Sequence, residues 1–132
     1  MNINSEIKSN IHLYVILELA IKSLQHDQKL FESFTVKRPY LSLCERQIEI
    51  LKDEFQKVKR ALLKQGVKYE NYEVVKKNEC MYYFLCRGEI IPFHYHGELL
   101  KKQVERKIQL TWSNFKGDSQ HESIRNNEIP FR

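Results

Sequence analysis

Residues 41–66 read LSLCERQIEILKDEFQKVKRALLKQG. Apolar side chains return along it at alternating intervals of three and four residues, which is the spacing of a heptad seam on one helical face. The seam consists of Leu41, Cys44, Ile48, Leu51, Phe55, Val58 and Leu62. Gly66 follows, and glycine readily adopts the left-handed conformation that ends a helix. The pattern predicts a long helix, helix two, that stops at Gly66.

The start of helix two is predicted from two local features. Ser42 precedes Glu45 by three residues, the spacing of a capping box in which each side chain accepts a hydrogen bond from the other's backbone amide. Pro39 lacks a backbone donor and disfavours helical geometry in the residue before it. We therefore expect helix two to begin at Ser42, after the chain has turned within residues 25–40.

The seam on helix two is compatible with two kinds of packing. It could lie inside the monomer against other helices, or it could pair with its own copy across a dimer axis, since three heptads are the lower limit for a coiled coil. Two other apolar helices are expected in this chain, so we favour internal packing. Some self-association is still expected, because helix one is apolar nearly all round.

Helix one is predicted over residues 3–24, where apolar residues recur at intervals of three and four. Val15, Ile16 and Leu19 widen the apolar stripe until little of the middle turn is polar. A helix with this pattern is covered on more than one side. We expect helix one to lie centrally.

The residues after Gly66 favour β-structure. Residues 67–75 and 80–86 are rich in β-branched and aromatic side chains, and the polar residues 76–79 between them suit a hairpin turn. Apolar side chains alternate to both sides of residues 80–86, so this strand is expected to be buried on both faces. Residues 89–95 are a candidate third strand.

Helical spacing returns after Gly97, with Leu100, Val104 and Ile108, and predicts a third helix of about 18 residues. The order predicts a helix-dominated α+β fold: two long N-terminal helices, a small antiparallel β-hairpin, a third helix and a polar tail. Residues 1–115 would form a single compact domain. Residues 116–132 would form the C-terminal tail, either flexible or docked.

Composition is that of an ordinary globular domain, with 132 residues, 42% of them apolar and 30% charged. No apolar run is long enough to span a bilayer, and the N-terminus lacks the order of a secretory signal. The three cysteines, Cys44, Cys80 and Cys86, have no paired spacing, which fits a reducing compartment. We predict a cytoplasmic protein with no membrane partner.

Catalytic and cofactor signatures are not found in the sequence. The four glycines are not clustered, and no phosphate-binding loop, nucleophile elbow or paired-carboxylate pattern is present, so we expect a protein that is not an enzyme and uses no cofactor. His94 and His96 are weak metal candidates. They would share one face of a strand, but no further ligands follow at a recognised spacing.

A local basic patch is the strongest indication of nucleic-acid binding. Lys57, Lys59, Arg60, Lys64 and Lys68 occur with no acid among them, and Lys57, Arg60 and Lys64 lie opposite the seam of helix two. The nucleic-acid candidates are Lys57, Arg60, Lys64 and Lys68. Cations near a helix C-terminus also complement its exposed carbonyl groups, and a net charge of +5 identifies no partner.

The aromatic residues are concentrated in the β region, where they could form a recognition surface, although a small sheet must bury most of its aromatics to be stable. The candidates for protein contact are Tyr40, Tyr82, Phe93 and Tyr95. The preferred hypothesis is a non-enzymatic regulatory or adaptor protein that acts through protein–protein interaction as a homodimer. The alternative is a nucleic-acid-binding regulator that uses the basic face of helix two.

Three short segments carry a family resemblance: residues 37–43 (KRPYLSL), 57–59 (KVK) and 81–88 (MYYFLCRG). With them, residues 30–112 resemble the YhjD-like family of small proteins from endospore-forming bacteria. The resemblance implies a bacterial cytosolic setting and places Arg38-Pro39-Tyr40 in one structural unit with the strand that ends before Gly88. It implies no activity and no catalytic residues.

Overall fold

A computed structural model gives the structure of residues 3–119, with the side chains of residues 3–113. The elements are α1 (Ser5–Phe31), α2 (Arg38–Lys64), β1 (Val67–Lys76), β2 (Glu79–Cys86), β3 (Glu89–His96) and α3 (Gly97–Ser119). Three helices therefore accompany one antiparallel sheet of order β1-β2-β3. The helix-dominated α+β fold is confirmed, and the candidate third strand is present as β3.

Helix α1 lies at the centre of the fold, as its apolar pattern predicts. Ile11, Val15, Leu17 and Ala20 are fully buried although they point in different directions around the helix. The helix packs against α2 and α3, and its Tyr14 ring contacts the sheet. Burial of one such aliphatic side chain contributes about 1.5–3 kcal/mol, so α1 supplies much of the stability of the core.

Helix α1 also continues past the predicted end near Leu24, to Phe31. Its last turns are polar and exposed on most sides, which removes the apolar periodicity on which the prediction depended. Phe31 nevertheless packs against Tyr40 of α2, with ring centroids 5.5 Å apart. This contact holds the end of α1 against the start of α2.

Helix α2 begins at Arg38, so the predicted start at Ser42 was wrong. Pro39 occupies the first turn, where the missing N–H is not needed because the first amides of a helix have no intrahelical partner. The Leu41 amide already donates to the Lys37 carbonyl oxygen at 3.0 Å. The cap residue Lys37 makes no side-chain capping hydrogen bond, and Ser42 lies inside the helix.

The heptad seam of α2 is buried within the monomer, as we expected. Cys44, Ile48, Leu51, Val58 and Leu62 are buried, and the two other seam residues are half-buried. Helix α1 is the main neighbour of α2, so the seam faces α1 in an antiparallel helical hairpin. The seam is therefore not free to form a coiled coil with a second copy.

The two faces of the sheet have different environments. Tyr82, Phe84 and Cys86 of β2 are buried on the side that contacts α1, which we call the inner face. Met81, Tyr83 and Leu85 point to the opposite side, the outer face, and are only half-buried because no described helix packs over them. The expectation that this strand is buried on both faces was wrong.

The connections of the sheet are tight. Arg87 and Gly88, which join β2 to β3, both have positive φ (51° and 88°), as in a two-residue type I′ hairpin. Strand β3 is an edge strand, which explains why it tolerates Pro92 and the missing backbone donor. β1 is the other edge, and its two register irregularities bulge it in the manner that discourages edge-to-edge pairing.

Helix α3 starts directly at the end of β3, where the Gly97 amide donates to the Asn78 carbonyl oxygen at 2.7 Å. It continues to Ser119, past the predicted domain boundary at residue 115. Residues 120–132 of the predicted tail lie outside the described residues. Among residues 3–119, no helix has both the length and the hydrophobicity of a membrane-spanning segment.

Candidate binding surfaces

The outer face is a small platform of three cross-strand rows. Each row takes one residue from each strand, because residues paired across antiparallel strands point to the same side. The first row is Lys68, Leu85 and Ile90, the middle row is Asn71, Tyr83 and Pro92, and the third row is Glu73, Met81 and His94. The apolar pair Leu85 and Ile90 therefore lies beside the cation Lys68, and Glu73 lies two rows further along the strands.

The apolar part of the outer face is accessible to a partner. The Ile90 side chain is 55% exposed, and Pro92 beside it is also exposed. Leu85 is the cross-strand partner of Ile90 and is half-buried. Neighbouring exposed apolar side chains within a sheet are typical of interaction surfaces, whereas single scattered ones are not informative.

The acidic end of the outer face is organised by hydrogen bonds. The Tyr83 hydroxyl donates to Glu73 Oε1 at 2.8 Å, and this bond raises the pKa of Tyr83. The His94 Nε2 atom lies 3.0 Å from Glu79 Oε1, and this hydrogen bond lowers the pKa of the Glu79 carboxyl. The two hydrogen bonds therefore fix the positions of both carboxyl groups, and the bond from His94 favours the ionised form of Glu79.

Three of the four predicted protein-contact residues lie on the inner face. Tyr82 is only 3% exposed, so it belongs to the core and offers no surface to a partner. Phe93 is half-buried and meets Phe84 edge-on, with centroids 5.9 Å apart. Tyr95 is half-buried and stacks on His12 of α1 at 5.7 Å, and burial raises its pKa to about 12.

The fourth predicted contact residue, Tyr40, lies at the connection between α1 and α2. Its ring is 5.5 Å from the Phe34 ring, and both pack with Phe31. Leu30, Phe34 and Val36 are exposed around this cluster. The end of the helical hairpin is therefore a second apolar surface, separate from the outer face.

The four predicted nucleic-acid contacts are all exposed. Lys57, Arg60 and Lys64 lie on the side of α2 away from α1, and Lys68 lies in the first row of the outer face. The fold adds a cation that the sequence reading missed: the Arg87 amide donates to the Gly66 carbonyl oxygen at 2.9 Å. This bond brings Arg87 to the chain segment that joins Lys64 to Lys68.

The two histidines considered as metal ligands are exposed on the outer side of β3. They share a face, as strand alternation predicts, and His94 is hydrogen-bonded to Glu79. Within the described part of the chain, no group of three or more His, Cys, Asp or Glu side chains is arranged to hold a metal ion.

An open groove of about 380 Å³ lies between α1 and α2. Its lining includes the Glu18 carboxylate, which pairs with Lys22 Nζ at 3.6 Å, and the ring of Phe55. Glu18 also contributes to raising the pKa of Tyr14, which burial and this charge bring to about 12. The groove is a shallow surface feature and encloses no reaction space.

The described residues form a small helix-dominated α+β fold with one three-stranded antiparallel sheet. The chain belongs to the YhjD protein family, whose model matches residues 2–116. This range is longer than the resemblance over residues 30–112 indicated, and it includes all of α1 and most of α3. Comparison with curated proteins and with solved structures gave no match.

Proposed function

We propose that this protein is a non-enzymatic binding protein, regulatory or adaptor in role, that acts through protein–protein interaction at the outer face of its sheet. The observation that supports the proposal is the uncovered apolar pair of Leu85 and Ile90 in the first row of that face. Most small sheets of this size need cover on an apolar face, and here the described helices cover only the inner one.

The partner we propose first is a second copy of the chain, which would make the protein a homodimer. A homodimer uses the same patch on both subunits, and a patch with Lys68 in its first row and Glu73 in its third row satisfies that condition. We also propose a cytoplasmic, bacterial setting. Cys44, Cys80 and Cys86 are free thiols, as is usual in a reducing compartment.

A photo-crosslinking experiment in the native cell tests the proposed surface. Benzoylphenylalanine replaces Ile90 in the full chain, and a matched control carries it at Leu63, which is 64% exposed on α2. We expect a discrete protein adduct from position 90 that Leu85→Arg removes, and no such adduct from position 63. Equal adducts from both positions, or none from position 90, would overturn the proposal.

The alternative function is nucleic-acid binding through the basic back of α2. It is supported by the position of Arg87 beside Gly66, which extends the exposed cations Lys57, Arg60 and Lys64 onto the β2–β3 turn. Phosphate contacts by such cations give a binding constant that falls steeply with salt. The same cations also complement the C-terminal carbonyl groups of α2, so the arrangement serves a second purpose.

Fluorescence anisotropy at two salt concentrations tests the alternative, with duplex DNA and single-stranded RNA as probes. Charge reversal of Lys57, Arg60 and Lys64 to Glu would abolish binding that depends on this surface. The matched control reverses three exposed cations of α3, Lys101, Lys102 and Arg106. Equal loss in both triple variants would indicate nonspecific attraction, and an absence of binding at low salt would remove the alternative.

A further inference from the structure

We infer how two copies meet on the outer face: the sheets stack face to face about a two-fold axis that crosses the strands at the middle row, at Tyr83. This inference rests on the proposed function and goes beyond it, because it specifies the occupant, the orientation and the charge pairs. The order of the three rows and the charged residues in them support this arrangement.

Charge is distributed unequally along the strands of the outer face. Lys68 belongs to the first row, and Arg87 lies in the turn beyond that row. Glu73 belongs to the third row, and Glu79 lies in the row beyond it. One end of the platform therefore carries Lys68 and Arg87. The other end carries Glu73 together with Glu79, which already pairs with Lys76 Nζ at 3.9 Å and with His94 at 3.0 Å.

An axis across the strands at Tyr83 reverses the strand direction of the second copy. The first row of one copy then lies over the third row of the other, so Lys68 meets Glu73 of the second copy, twice in the dimer. Leu85 meets Met81 of the second copy, and Tyr83 meets its own equivalent. Arg87, in the turn beyond the first row, then lies over the row that contains Glu79 of the second copy.

An axis parallel to the strands gives a different set of pairs. It would place β1 of one copy over β3 of the other, and the first row of one copy over the first row of the other. Lys68 would then meet the apolar side chain of Ile90 of the second copy. Glu73 would meet His94 of the second copy, and the Lys68 ammonium group would face no carboxylate. In the crossed arrangement Lys68 faces the Glu73 carboxylate and Ile90 faces His94. The crossed axis is therefore preferred.

The size of the face sets the strength of the dimer. Three strands spaced about 4.8 Å apart and eight residues that each rise about 3.3 Å give a face of roughly 14 by 26 Å, close to 400 Å² in projection. A stable interface buries about 800 Å² per partner. The dimer is therefore expected to be weak and to form only as the concentration rises.

Charge reversal at two positions tests the arrangement in purified full-length protein. Lys68→Glu and Glu73→Lys are expected to weaken association at least tenfold each in sedimentation equilibrium, because each places like charges opposite one another twice. Mixing the two single variants pairs every reversed charge with its complement, so a mixed dimer should form. The double variant, Lys68→Glu with Glu73→Lys, should recover self-association for the same reason.

Two control variants separate the charge pair from other effects. Lys64→Glu changes the net charge equally but lies on α2, so it should leave association unchanged. Tyr83→Phe removes the hydrogen bond that Glu73 accepts and measures how much of the Glu73→Lys effect comes from that bond. The unfolding midpoint of every variant is measured alongside, to confirm that each one is folded.

The outcomes distinguish this inference from the proposed function. Rescue by mixing and by the double variant supports the arrangement. Weakening without rescue overturns it. A native chain that stays monomeric up to millimolar concentration also overturns it, and if the photo-adduct at position 90 then has the mass of a different protein, the proposed function stands. If that adduct is also lacking, both fail.

Discussion

Phe84 and Leu85 are consecutive residues of β2, and they show how differently the two faces of the sheet contribute. Phe84 is fully buried and meets Tyr14, Tyr69 and Phe93 edge-on. Leu85 points the other way and is half-buried against its strand neighbours alone. The inner face therefore stabilises the monomer, whereas the outer face is available for a partner.

The largest expected effect comes from the inner face. Phe84→Ala removes a fully buried ring and leaves a cavity, so it should lower the free energy of unfolding by about 3–5 kcal/mol. Leu85→Ala, the matched change on the outer face, should cost less than about 1 kcal/mol. Urea denaturation of both variants measures the difference. Equal losses would show that the outer face is packed as tightly as the inner face, which would contradict the difference between the two faces.

The next-largest loss of stability is expected from a substitution in the segment that joins α2 to β1. Gly66 has a φ of 78°, and a Cβ there would lie 3.0 Å from Arg87 Cγ. Gly66→Ala should cost about 1–2 kcal/mol, because an L-residue is strained in this region and Arg87 must also move. Gly88, with a φ of 88°, has open space around it, so Gly88→Ala carries the backbone cost alone.

Thermal unfolding of the two glycine variants checks this prediction. Gly66→Ala should unfold at a lower temperature than Gly88→Ala. The reverse order would show that Arg87 does not hold the end of α2 against the β2–β3 turn. It would also argue against a basic surface that is continuous from α2 to that turn.

A smaller effect is expected for the hydrogen bond at the acidic end of the outer face. Tyr83→Phe removes the donor to Glu73, a pair that is solvent-accessible, so the free energy of unfolding should fall less than in Gly66→Ala. Chemical denaturation at neutral pH measures it. A loss as large as that of Phe84→Ala would mean that Tyr83 is as important to the monomer as the inner face.

The smallest effect is a pH dependence on the inner side of the sheet. Burial lowers the pKa of His12 below its ordinary value of 6.5, so the native state binds this proton less readily than the unfolded chain. The stability associated with neutral His12 is complete above pH 6.5 and is lost as the pH falls through the lower folded pKa.

His12→Gln should reduce the slope of unfolding free energy against pH below neutrality, whereas His26→Gln, at an exposed position on the same helix, serves as the control. Denaturation in urea between neutral and mildly acidic pH gives the slopes. Identical slopes for the native chain and His12→Gln would contradict a half-buried imidazole that stacks on Tyr95 and has a lowered pKa.

The parts of the fold that sequence periodicity predicted are those in which a repeating pattern extends over many turns. The seam of α2 and the all-round apolar character of α1 are of this kind, and both are confirmed. The end of α1 and the start of α2 were not predicted, because polar exposed turns carry no periodicity and because Pro39 is acceptable in a first turn.

The binding surfaces were harder to predict, because they depend on which face of the sheet the helices cover. Aromatic residues drew attention to Tyr82, Phe93 and Tyr95, yet strand alternation places these three on the inner face, against other aromatic rings. Strand alternation separates Leu85 from Phe84, and the exposed Ile90 in the neighbouring strand then marks the outer face. Identifying Ile90 as the cross-strand neighbour of Leu85 requires the register of β2 with β3, which the sequence does not provide.

The most direct test is a concentration series of backbone amide NMR spectra of the native chain. As the concentration rises, the shifts should change progressively in the sheet, above all at Tyr83, Leu85 and Ile90, while the basic back of α2 stays constant. Changes confined to α2 or to the α1–α2 connection, or spectra that do not depend on concentration, would contradict self-association through the outer face.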